Sequence, residues 1–207
     1  MSFPDQAASG DCRKRLLQAA CEVFGAEGYH VSVDRIAAQA GVAKQTLYNH
    51  FSSKAELFAE VIKNATAEFL VALDDDGTPL RERLVRFGVR YRERLLSTGG
   101  LQFYRMLVAE IPRFPELAAA FYESGPRRTA ACLREVIKAS MACGELRCDD
   151  AEFAAGMLLS MLVGAERSQY LFSGETPPEF DPGQAARIVD CFLRAFAPEG
   201  DVRRSDS

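Results

Sequence analysis

A chain of 207 residues with 48% apolar side chains can bury a substantial core, as one large helical domain or as a small domain fused to a larger one. Its formal net charge of −4 excludes a general polyanion binder, and its longest apolar run, near 157–165, is too short and too interrupted to span a bilayer. Six cysteines without a CxxC pair and only two histidines, His30 and His50, exclude a Cys/His zinc site; with small polar residues at 1–10 instead of a leader, the chain is read as cytoplasmic, its cysteines as reduced, and no metal or cofactor is expected.

Helical periodicity recurs from end to end and strand signals are nearly absent. The fold class is therefore all-α, with about nine to ten helices. Residues 1–10 read as a flexible tail. The first helix is expected over about 11–27, with Leu16, Ala20 and Phe24 recurring every four residues beside Leu17 and Val23. Gly28 ends it, and Tyr29 is placed as an anchor. Ser32 is a good N-cap for a helix over 33–40 that turns Val33, Ile36, Ala37 and Ala40 inward. Gly41 makes a turn, Val42 plugs the angle, and a helix over 44–51 buries Leu47 and Phe51. Glu56, three residues after Ser53, completes a capping box for a helix over 54–73.

The stretch 74–79 is a break. Helices are then expected at about 79–97, 101–113, 115–124, 126–142, 149–172 and 182–196, separated by glycine and proline signals such as Gly99-Gly100 and Gly125-Pro126. Residues 198–207 read as a frayed tail. The functional border is drawn near Ser52, giving an N-terminal domain of 1–52 and a larger helical domain of 53–197.

Two short helices around a glycine turn, the second rich in polar side chains, have the layout of a helix-turn-helix. The open face of the second helix carries Lys44, Gln45, Thr46, Tyr48, Asn49 and His50, and no acid occurs between Asp34 and Glu56. Residues 1–54 hold six Lys/Arg against five Asp/Glu, the remainder 19 against 24, so the expected DNA-reading end is the less acidic one.

Residues 33–58 resemble the TetR family of bacterial transcriptional regulators. The pattern is Ile36-Ala37, Ala40-Gly41-Val42, Thr46-Leu47-Tyr48, Phe51, Ser53-Lys54 and Glu56-Leu57-Phe58. The stretch 103–126 is similar to the regulatory domain of the AefR-like branch. Departures fall on the reading face: Gln45 stands where glycine is common, and Asn49-His50 where His-Tyr is common. Gln45 and Asn49, four apart on one face, are expected to meet base edges, since amides suit adenine. Lys44, Thr46, Tyr48 and His50 are expected to make phosphate or mixed contacts, and Ser32 and Lys54 to hold backbone phosphates at helix N-termini.

The resemblance implies a cavity for a small-molecule effector. Candidate lining residues are Phe87, Tyr91, Phe103, Tyr104, Leu107, Phe121, Tyr122, Met157 and Met161, with Arg90 and Glu110 orienting the ligand; the wall so formed suits a mostly apolar, aromatic molecule. It also implies a homodimer through the last two helices, with Leu158, Leu162, Ala165, Ile188, Val189, Phe192 and Phe196 at the interface. A two-fold dimer sets its reading helices roughly 34–36 Å apart, so the partner DNA is a near-palindromic operator. The expected function is a ligand-released repressor; a thiol-redox regulator and an activator are the alternatives. Nothing in the sequence carries the motif of an enzyme.

Overall fold

The computed structural model describes residues 5–173, 175, 177 and 180–198. Among these residues the chain forms helices and no strands. In order they are α1 Asp5–Glu27, α2 Val33–Ala40, α3 Lys44–His50, α4 Lys54–Leu70, α5 Leu80–Leu96, α6 Thr98–Glu110, α7 Pro115–Tyr122, α8 Arg128–Ala142, α9 Ala151–Phe172 and α10 Pro182–Ala195. A 3-10 turn, Val71–Leu73, follows α4, and a π turn, Glu123–Arg127, joins α7 to α8. No helix of the described residues is long and apolar enough to cross a membrane.

Three boundaries differ from the expected ones. Helix α1 begins at Asp5, inside the stretch read as a tail. The composition of 6–8, glutamine and two alanines, favours helix and offsets the roughly 1 kcal/mol that Gly10 costs. Gly99-Gly100 does not separate helices but lies in the first turn of α6, where the Gly100 N–H donates to Ser97 Oγ at 3.0 Å. Gly125-Pro126 likewise lies inside the π turn, whose wider register tolerates the missing proline N–H. The tails at 1–4 and 199–207 lie outside the described residues.

Packing divides the chain into two compact units, Met1–Ala65 with Phe103–Pro126, and Thr66–Gln102 with Arg127–Ser207. The expected border near Ser52 falls inside the first unit. Helix α4 contributes to both units, and α7 with most of α6 belongs to the first.

An aromatic chain explains the composition of the first unit. Phe24, Tyr29 and Phe58 meet with ring centroids 5.4–5.7 Å apart. Phe114 joins Tyr29 at 5.2 Å, Phe103 joins Phe58 at 6.2 Å, and Phe121 joins Phe103 at 6.2 Å. Leu16, Ile36, Leu47, Phe51, Leu107 and Leu117 complete this core. The core of the second unit is built by Leu84, Phe87, Leu133, Ile137, Leu158, Leu162, Val189, Phe192 and Phe196. There α5 approaches α9 and α10 closely at Gly88, where a Cβ would stand 3.0 Å from Leu162 Cδ2.

Candidate nucleic-acid interface

The angle between α2 and α3 is built locally. Ser32 Oγ accepts the Arg35 N–H at 3.2 Å and caps α2. Gly41 closes the helix with φ 66° and ψ 37°, a left-handed conformation that glycine adopts without strain. The Gly41 and Val42 N–H groups then satisfy the carbonyls of Ala38 and Ala37 at 3.1 and 3.0 Å. Ile36, Ala37, Ala40, Leu47 and Phe51 are buried as expected, and Val42 is half-buried in the angle. Ser53 caps α4 by accepting the Glu56 N–H at 3.0 Å. The Glu56 carboxylate reaches back to the Ser52 N–H and hydroxyl, which holds it below the usual carboxylate range.

This frame leaves Lys44, Gln45, Tyr48 and Asn49 of α3 exposed, with Thr46 and His50 half-buried. Gln45 Nε2 donates to Asn49 Oδ1 at 3.2 Å. Lys44 Nζ stands 3.0 Å from Asp34 Oδ2, and this hydrogen bond and charge raise the Lys44 pKa. Asp34 is the residue that sequence reasoning missed here. It was counted only as the last acid before an acid-free stretch, yet the Gly41 turn brings the head of α2 beside the head of α3.

Lys54 occupies a different place from the one expected. Its ammonium lies over the Tyr29 ring at 4.3 Å and near Phe114 at 5.7 Å. Burial lowers its pKa, with Glu110 and Glu116 acting against that shift. It is thus folded against the aromatic cluster instead of standing free at the head of α4. Arg13 packs 5.2 Å from the Phe51 ring and pairs with Glu60 at 2.6 Å; Arg35 pairs with Glu27 at 3.0 Å.

The eleven expected effector contacts fall in both units. Phe103, Tyr104, Leu107, Glu110, Phe121 and Tyr122 belong to the first unit, where Leu107 is core and Phe103 and Phe121 are half-buried against it. Glu110 lies 3.7 Å from His30 Nδ1 there, with its Oε2 buried and without a hydrogen bond. Phe87, Arg90, Tyr91, Met157 and Met161 belong to the second unit. Phe87 and Tyr91 stack at 5.3 Å, Phe69 closes on both, and burial pushes the Tyr91 phenol up. Arg90 lines an open cleft of about 330 Å³ with Glu68, Phe69, Glu93, Arg94 and Ser97.

Among the described residues of the second unit, the buried cation is Arg92. It donates to the Leu162 carbonyl and pairs with Glu166, whose other oxygen accepts from Gln184 Nε2 at 3.3 Å. Its signal was present in the sequence, since Leu84, Gly88, Arg92 and Leu96 recur every four residues on one stripe.

The expected dimer contacts need correction. Leu158, Leu162, Val189 and Phe192 are 0% exposed and Phe196 is 1% exposed within a single chain, so they hold α9 and α10 onto their own unit. Ala165 is exposed and Ile188 half-buried. The apolar side chains α9 leaves uncovered are Phe153, Met161 and Phe172. All six cysteines are free.

An all-helical chain whose N-terminal helices carry a glycine-turned helix-turn-helix with an exposed polar second helix is a helix-turn-helix regulator in class. Comparison with known families narrows this. Residues 16–61 match the model described as bacterial regulatory proteins, tetR family, and residues 82–198 match the AefR-like transcriptional repressor C-terminal domain. The chain belongs to the TetR family of transcriptional regulators.

Among curated relatives, the transcriptional activator FasR of Mycolicibacterium smegmatis is 54% identical over 52 residues, 25% of this chain and 24% of that protein. The repressor SCO4008 of Streptomyces coelicolor is 29% identical over 110 residues, 50% of this chain and 56% of that one. The matches thus span about a quarter to about half the length of these relatives. The solved structure of the flavonoid-responsive regulator FrrA is 31% identical, covers 92% of this chain and 100% of its own, and superposes with a TM-score of 0.70.

Proposed function

We propose that the chain is a homodimeric repressor that binds a near-palindromic DNA operator through α3 and is released by an apolar, aromatic effector. The observation that carries the reading is the outer face of α3. Lys44, Gln45, Tyr48 and Asn49 stand exposed on a helix without a carboxylate of its own, held by a frame that fixes its angle. Gln45 and Asn49 face the bases; Lys44, Thr46, Tyr48 and His50 face phosphates. Ser32 serves through the N-terminus it caps.

Dimerisation is assigned to the outer side of α9, where Phe153, Met161 and Phe172 alternate with the exposed small residues Gly156, Ser160, Ala165 and Ser168. A second copy covers this apolar side and sets two reading helices at one DNA turn. The effector is placed in the second unit, where Phe69 and Arg90 line the open cleft and Phe87 and Tyr91 stand behind Phe69. Its aromatic character is supported by the name of the FrrA regulator and by Phe69, the one aromatic side chain of a cleft otherwise lined by Glu68, Arg90, Glu93, Arg94 and Ser97. The effector acts by preferring the arrangement whose heads no longer fit the operator spacing.

The test is footprinting of the purified protein on the DNA upstream of its own gene and its divergent neighbour, at stated salt. An inverted repeat protected in its absence and freed by a flavonoid, but not by a fatty acid, is the expected result. Absence of any protected repeat at moderate salt overturns the operator reading. Increased transcription from the protected promoter on binding makes the protein an activator.

A further inference from the structure

The geometry points to a division of labour inside the Gln45–Asn49 pair: Gln45 reads an adenine, and Asn49 is the positioning residue that orients the Gln45 amide. The inference rests on the DNA-reading proposal and sharpens it. Sequence spacing alone makes the two amides equivalent adenine readers. Their hydrogen bond makes them unequal.

A primary amide carries one carbonyl acceptor and two N–H donors. Gln45 directs one N–H to Asn49 Oδ1 at 3.2 Å. It keeps its carbonyl oxygen and its other N–H, an acceptor beside a donor. Adenine presents the complement in the major groove, the N6–H donor beside the N7 acceptor. Guanine presents two acceptors and sets O6 against the amide carbonyl, while pyrimidines lack the pair altogether. Asn49 has turned its own carbonyl along the helix to Gln45. What it has left is two N–H donors and the second lone pair of a carbonyl already directed at Gln45, a set that suits a phosphate oxygen or a single acceptor better than the adenine edge.

The bond also removes freedom before DNA arrives. A long, exposed glutamine loses rotamer entropy when it meets a base. Tethering it to a neighbour one helical turn away pre-pays part of that loss. Both residues are exposed, and α3 holds no carboxylate that could capture the Gln45 N–H groups.

The experiment is selection of binding sites from fully randomised duplexes by the full-length protein, followed by competition between sites that differ at one base pair. The wild type should enrich an inverted repeat whose half-site holds one adenine preferred by about tenfold over other bases. Gln45→Ala should abolish that preference. Asn49→Ala should reduce it severalfold at the same position. Asn49→Asp keeps the acceptor oxygen and loses the donors, so it should retain the preference while weakening all sites alike through its added charge. Each readout is a ratio between sites, so partial loss of folded protein does not mimic it. If Asn49→Ala instead erases a second, separate adenine, or if Asn49→Asp also loses the Gln45 preference, the division of labour is overturned. If the wild type enriches no site at any moderate salt, the DNA-reading proposal itself has failed.

Discussion

Lys44 Nζ lies 3.0 Å from Asp34 Oδ2, so the leading cation of the reading helix is tied to the first turn of the helix before it. A phosphate that approaches Lys44 must displace a carboxylate and then tolerate it nearby. Asp34 therefore weakens binding to any duplex, specific or not. Asp34→Asn should raise affinity for random-sequence DNA severalfold and steepen the salt dependence by up to about one phosphate equivalent. The pair is exposed, so the melting temperature should hardly move. Salt titrations against a random duplex check this, and unchanged or weaker binding would mean that Asp34 acts by holding Lys44 in place.

Lys54 was expected to hold a phosphate, but its ammonium lies over Tyr29 and Phe114. Its removal should therefore register first in stability. Lys54→Ala should destabilise the first unit by about 1 kcal/mol, the scale of a partly desolvated cation–π contact, and leave the salt slope of DNA binding nearly unchanged. A double-mutant cycle with Tyr29→Leu isolates the contact. A slope reduced by one, with no change in melting, restores the phosphate role.

Tyr29 gives the pH dependence. Burial, aided by the Glu116 charge, pushes its phenol from 10.0 up to about 12. A group whose folded pKa is raised contributes stability that is complete below its unfolded pKa and disappears as pH rises through the folded one. The contribution of Tyr29 should thus be intact below pH 10 and fall between pH 10 and about pH 12. Tyr29→Phe cannot ionise, so the stability difference between it and the wild type should change across that window and stay flat below it. Urea unfolding over the pH series measures it.

How much of this was legible follows the range of the forces involved. The helix-turn-helix depends on local constraints: the left-handed Gly41, the i and i+4 pair Leu47 and Phe51, and the Ser53–Glu56 cap, each written within a few residues. The aromatic and methionine residues of the later helices carry no such local mark. Phe103, half-buried beside Phe58, and Phe121, half-buried beside Phe103, are as suited to a pocket as to packing against the core. Which side of α9 faces inward is decided by α5, α8 and α10, so Leu158 and Leu162 read as a surface although they are core. Arg92 was within reach, since a charge on the stripe of Leu84, Gly88 and Leu96 must be buried and paired.

Arg92 carries the strongest stability prediction of the second unit. Its side chain is 5% exposed and that of Glu166 28%. Arg92→Ala leaves the Glu166 carboxylate half-buried without its cation, and should lower the unfolding free energy by about 3 kcal/mol. Replacing both partners with apolar groups, as in Arg92→Met with Glu166→Leu, should recover most of that loss, because the desolvation of two charges disappears with them. Denaturant unfolding of the two variants decides it; equal loss in both would show that packing of the guanidinium stem, not the charge pair, was what mattered.

The last prediction separates core from interface on α9. Phe153 is 60% exposed and Met161 37%, whereas Leu158, one turn before Met161 and turned into the core, is 0% exposed. Phe153→Glu and Met161→Glu should leave the single chain folded, shift sedimentation from dimer to monomer, and reduce operator affinity steeply, because each half-site alone loses the benefit of paired binding. Leu158→Ala should do the reverse, destabilising the chain by about 2–5 kcal/mol while the surviving folded protein still dimerises. Dissociation by Leu158→Ala without loss of melting temperature would return the interface to the buried side, and unchanged sedimentation of both glutamate variants would remove the outer side of α9 from it.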